Sequence, residues 1–159
     1  MIDRIDEIID RLDDFETEKN SIIGHVLGEQ SEAMVSEVRR QLWNGLTGDL
    51  TPIVPSYLND PYFKSKEEAY QYMMWKQQIT PNSRRPIQTP NLFINGYFHS
   101  SLFLSIGEDS AEVTSMVPLG DEIISKYGKD MFGVNEIFIE REIVPLVKDR
   151  LIAYLHGNI

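Results

Sequence analysis

The groups in this 159-residue chain that could do chemistry are its carboxylates, three histidines and a pair of adjacent arginines; cysteine is absent. Without thiolates, disulfides and cysteine-ligated metals are excluded, and a reducing compartment is the expectation. His25, His99 and His156 lie far apart in sequence, and none has a second ligand at helical spacing, so no zinc-type motif forms. His99 precedes Ser100 and Ser101, which raises Ser–His nucleophilic chemistry. Adjacent residues on one strand or helix point in different directions, however, and the glycine-bounded turn that presents a nucleophile is missing. A structural histidine is therefore expected at 99. Glu136 and Glu140 share a helix face, with Arg141 and Glu142 beside them. That pattern could hold a cation, but it more simply describes a solvated, ion-paired surface. Gly45-Leu-Thr-Gly48 lacks both the length and the lysine of a phosphate loop. No catalytic, cofactor-binding or metal-ligating residue is assigned.

Two stretches suit recognition better than reaction. Ser83-Arg84-Arg85-Pro86 reads as a mobile, hydrated loop able to grip phosphate or an acidic patch. Tyr70, Tyr72, Met73, Met74 and Trp75 form an aromatic and methionine cluster that covers more than one helix face. Part of it must be core, and the remainder is a patch that wants a partner. Arg84, Arg85, Tyr70, Met74 and Trp75 are the candidate partner interface. The formal net charge of −10 argues against direct nucleic-acid binding, which needs Lys and Arg against phosphate. The charge is uneven: residues 1–18 sum to −6 and residues 62–85 to +3. Such asymmetry could steer identical subunits together, or be ordinary solvated surface.

The elements that must position these groups follow from periodicity. Ile2, Ile5, Ile9 and Leu12 recur at helical spacing among acids, and the pattern continues through Val26, Leu27, Met34, Val35, Val38 and Leu42. One long N-terminal helix, or two with a bend near 17–21, is expected, with 1–18 as a protruding acidic helix. Gly24 and Gly28 mark a weak point or a close helix approach. Asn44-Gly45 closes the element. Residues 45–62 carry three prolines and are mostly irregular, with 51–54 a short edge strand. Ser65 and Glu68 make a capping box for a helix to about Gln78, burying Ala69, Tyr72, Met73 and one of Trp75 or Ile79. Residues 80–89 read as loop. Thr89-Pro90 signals a short helix over 91–98, with a strand as the rival. Leu102 to Ile106 and Ala111 to Ser115 read as a β-hairpin. A short helix spans 121–126 before Gly128, and Asn135 caps a final helix that Pro145 kinks or restarts. One α+β domain over 1–159 results, its long N-terminal and C-terminal helices packed on a small antiparallel sheet or hairpin. No apolar run reaches the roughly 18 to 20 residues that span a bilayer, and the acidic N-terminus is unlike a signal peptide. No membrane association and a cytoplasmic location are expected.

The order of several short motifs adds a family likeness. Gln41-Leu-Trp-Asn-Gly45, Pro55-Ser-Tyr-Leu-Asn-Asp-Pro-Tyr62, Trp75-Lys-Gln-Gln-Ile-Thr-Pro81, Asn95-Gly-Tyr-Phe-His-Ser100 and Tyr127-Gly-Lys-Asp-Met-Phe-Gly133 follow one another. The arrangement resembles small prophage-borne proteins of Bacteroides-type gut bacteria and, more distantly, the tail-completion or minor virion morphogenesis proteins of tailed phages. There, a small-residue turn with an aromatic and a hydroxyl precedes a β-hairpin, and a Tyr-Gly…Phe-Gly stretch precedes the C-terminal helix. The likeness covers roughly residues 38–135 and has no counterpart for 1–18. It implies a non-enzymatic α+β subunit, without cofactors, that assembles at the phage neck or tail with other virion proteins or itself, in the host cytoplasm and then the virion. Two other classes stay open: a phage-encoded hydrolase or nuclease using acids and a divalent ion, and an acidic regulator or inhibitor that mimics nucleic acid.

Overall fold

Met34, Val35, Val38 and Leu42 place one unbroken apolar stripe on a helix, and that stripe is the centre of the core. In the computed structural model the described residues are 2–108 and 110–157, with the backbone alone for 2–8 and Leu119. Helix α1 spans Ile2–Glu29 and α2 spans Ser31–Trp43. The bend between them falls at Gln30 rather than near 17–21, and the i to i−4 hydrogen bonds run on across it (Gln30 N to Val26 O and Met34 N to Gln30 O, both 3.0 Å). The side chains of Ile2 and Ile5 lie outside the described residues. A Cβ built at Gly24 or Gly28 meets nothing within 4 Å, so no close helix approach accounts for either glycine.

Strands β1 (Leu102–Ile106) and β2 (Ala111–Ser115) pair antiparallel, with Leu104 opposite Val113. Alternation sends Leu102, Leu104 and Val113 to one face, where α2 packs with Phe98, Met131 and Phe132. The fold is α+β, as its periodicities imply. Segment 51–54 forms no strand; it contributes one isolated bridge, Leu46 to Pro52. Asn44 and Gly45 end α2, Gly45 in the left-handed region at φ 72°.

Helix α3, Lys66–Ile79, starts where expected: Ser65 Oγ accepts from Glu68 N at 3.1 Å. Glu68 in turn accepts from Lys64 N at 2.8 Å. Thr89-Pro90 starts no helix. Asn91 Oδ1 accepts from Phe93 N at 3.2 Å, and Leu92 takes φ 53°, a conformation a helix cannot carry. Helix α4 is the single turn Tyr97–Ser100, after Gly96 at φ 82°. Helix α5, Leu119–Tyr127, stops at Gly128.

The C-terminal helix is anchored by backbone recognition. Gln41, fully buried on α2, donates to Gly133 O at 2.7 Å and accepts from Asn135 N at 3.0 Å. Asn135 Oδ1 then caps α6, Glu136–Phe138, accepting from Ile137 N at 2.7 Å. A wide turn over Ile139–Ile143 leads into α7, Val144–Leu155, with Pro145 in its first turn. Proline restarts the helix there, since its missing N–H is tolerated in a first turn. Helix α7 returns to α1 through Phe15 and Tyr154 (ring centroids 6.2 Å apart) and an Arg150–Glu29 ion pair at 3.0 Å.

Candidate functional site

The arginine loop is not the paired exposed cation its sequence suggests. Arg84 is exposed and its backbone N–H donates to Asn82 Oδ1 at 2.9 Å. Arg85 is only 4% exposed, and this corrects its assignment to a surface interface. Its guanidinium donates to Thr89 O at 2.6 Å, and to Thr80 O and Thr80 Oγ1 at 3.4 Å, tying the ends of the loop together. Fork-shaped donors satisfy carbonyls in this way without a counter-charge. Burial lowers its pKa from the ordinary arginine value. Lys76 is buried too, 1% exposed, and donates to Phe93 O. The exposed charge of 62–85 therefore reduces to Lys64, Lys66 and Arg84 against Glu67 and Glu68, a surplus of one cation. Acid-to-base steering between identical copies loses most of its basic half.

On α3 the stripe Ala69, Met73, Lys76 and the following Thr80 faces the core. Tyr70, Met74 and Trp75 are exposed on the other side, where Tyr70 and Met74 stand one turn apart. Trp75 lies at the end of an aromatic chain, 5.4 Å from Tyr72, which is 5.0 Å from Tyr57. Tyr72 is half-buried, and Ile79 is exposed along with Trp75. Lysine on the inner stripe was legible from spacing alone: position 76 is three residues beyond Met73 and seven beyond Ala69. Composition hid it, because lysine is rarely so buried.

Beside this stripe is a cavity of about 460 Å³ whose walls include Tyr57, Tyr72, Leu92, Phe98, Ile123 and Tyr127. Lys76 also lines it, with Lys126 and Glu122. Lys126 is partnered: its Nζ lies 2.5 Å from buried Asp60 and above the Tyr127 ring, 5.3 Å from its centroid. Burial opposes its charge, but the Asp60 hydrogen bond together with the Tyr127 and Asp60 electrostatics outweighs it and the Lys126 pKa rises. Burial raises the phenols of Tyr57, Tyr72 and Tyr127. Burial first, and then the nearby Arg85 charge, bring the Lys76 ammonium down to about 8. Among the described residues no carboxylate pairs with Lys76 or Arg85.

His99 and its serines do not form a relay. His99 is buried, and its Nε2 lies 2.8 Å from Asn91 O, which requires the Nε2–H tautomer. Burial lowers its pKa. Ser100 Oγ donates to Tyr97 O, and Ser101 Oγ to Phe98 O. A second cavity, about 470 Å³, carries Glu112, Asp121 and Asp130 with Lys129 on its walls, all exposed. Among the described residues no three His, Cys, Asp or Glu side chains come together as a metal site. Nor is any described helix long and apolar enough to cross a membrane.

Apolar residues also stand uncovered on the two terminal helices. Over residues 9–21 of α1 only Phe15 and Lys19 are partly covered, and Ile9 and Leu12 (57%) stand in solvent. On α7, Ile152 and Leu155 (57%) are equally open. No protein-family model, curated protein or solved structure matches the chain.

Proposed function

We propose that this chain is a non-enzymatic phage or prophage structural protein, acting in tail completion or head–tail joining through protein–protein contacts. The observation that carries this reading is the uncovered apolar stripe of α1, Ile9 and Leu12, on the outer part of a helix whose inner end is anchored by buried Val26 and the Arg150–Glu29 ion pair. An amphipathic helix lays such a stripe into a partner's groove. Asp10, Asp13, Asp14, Glu16 and Glu18 flank the stripe, so the complementary surface is an apolar groove rimmed by Lys and Arg. Arg85 and Lys76 are buried and cannot contribute to that rim in a second copy; in this reading another virion protein supplies it. Tyr70, Met74 and Trp75 form a second contact surface, stiffened by the aromatic chain behind Trp75.

Sedimentation velocity tests this reading, run on the protein alone and mixed with the products of neighbouring genes. A complex is expected, lost in the Ile9→Glu/Leu12→Glu variant while its helical circular dichroism is unchanged. A monomer inert towards every neighbouring gene product would refute the proposal, and assembly of the protein alone would make a second copy the partner.

A further inference from the structure

We propose that the cavity between α3, α4 and α5 binds a small apolar monocarboxylate, its hydrocarbon or aromatic body against Tyr57, Tyr72, Leu92, Phe98 and Ile123 and its carboxylate on Lys76. The site is distinct from the exposed faces of α1, α3 and α7 and does not depend on the assembly reading. Its volume, about 460 Å³, falls within the range of small-ligand pockets, which are mostly apolar with a few placed polar groups.

Charge decides the ligand's chemistry. A buried ammonium normally has an acid beside it. Here Lys76 has only the Phe93 carbonyl, and an ammonium carries three donors, so donor capacity remains. The charge nearest in kind is Arg85, another buried cation, which adds positive potential instead of cancelling it. Asp60 is already committed to Lys126 and to Tyr62 N, 3.0 Å away. Glu122 is exposed. The cavity thus joins aromatic walls to an uncompensated cation. A single carboxylate matches that cation in charge, whereas a phosphate dianion would bring a second negative charge to a wall whose other described cation, Lys126, is already paired with Asp60. At pH 7 the Lys76 amine is below its pKa of about 8 and remains charged.

The test is a titration of the isotopically labelled chain, followed by amide chemical shifts at pH 7, with 4-phenylbutyrate and separately with the uncharged 4-phenyl-1-butanol. The acid should bind at least about tenfold more tightly, because its carboxylate ion-pairs with the ammonium whereas the alcohol offers the same donor only a neutral acceptor. Its shifts should centre on Tyr57, Leu92 and Ile123. In Lys76→Met the preference for the acid should vanish while the alcohol's affinity is retained. Equal affinity of the two compounds for the wild-type chain, no saturable binding of the acid, or shifts centred outside this cavity would each overturn the assignment. The wild-type comparison decides it even if the variant does not fold.

Discussion

Residues 9–21 of α1 and the whole of α2 are amphipathic helical turns of similar character separated by one bend, yet the first leaves its apolar residues mostly in water and the second buries them in the core. Helix α2 lies over the hairpin and meets Phe98, Met131 and Phe132, so Val38 and Leu42 are fully buried. The outer part of α1 has Tyr154 against Phe15 and little else. A stripe of apolar residues states that a helix has a face to cover; whether this chain or another covers it depends on what the rest of the fold brings within reach. The same division separates two adjacent arginines. Arg84 is solvated, and Arg85 binds three oxygen atoms in the interior.

Charge reversal should give the largest contrast. Arg85→Glu places a carboxylate against the Thr80 and Thr89 carbonyls and should cost about 4 kcal/mol, whereas Arg84→Glu should stay within about 0.5 kcal/mol. Urea denaturation of the two single variants measures both, and equal costs would show that the loop is open. Truncation comes next. Leu42→Ala should lose about 3 kcal/mol and Leu12→Ala under about 0.5 kcal/mol in the unassembled protein. A large loss at Leu12 would mean that α1 is already covered.

The smallest contrast concerns Lys76. Its folded pKa, about 8, is below the ordinary lysine value of 10.5, so between these pH values the unfolded chain binds more protons. Wild-type stability should therefore rise relative to Lys76→Met from about pH 7 to about pH 10.5, by about 2 kcal/mol, and be flat below about pH 7. The raised Tyr57 phenol acts in the opposite sense above pH 10, and it does so in both proteins. A constant difference across the window would place the ammonium in water.

Features whose cause is local were legible in the sequence. Ser65 and Asn135 cap within three residues of themselves, the hairpin pairs strands four residues apart, and the stripe of α2 repeats every turn. Features whose cause is distant were not. The carbonyls that hold Arg85 come from both ends of a proline-rich loop, whose polarity reads as exposure. Thr89-Pro90 has the composition of a helix start, but Asn91 is fully buried and turns the chain back on itself. The cavity is missed for the same reason, since Tyr57, Lys76, Phe98 and Ile123 belong to four separate segments.

Hydrogen exchange across α1, followed by mass spectrometry before and after complex formation with neighbouring gene products, tests the outward role of this helix most directly. Docking through α1 predicts rapid exchange over residues 9–21 in the free protein and at least tenfold slowing in the complex, roughly 1.4 kcal/mol of added protection, with α2 unchanged. Exchange over 9–21 that is the same in both states would contradict it.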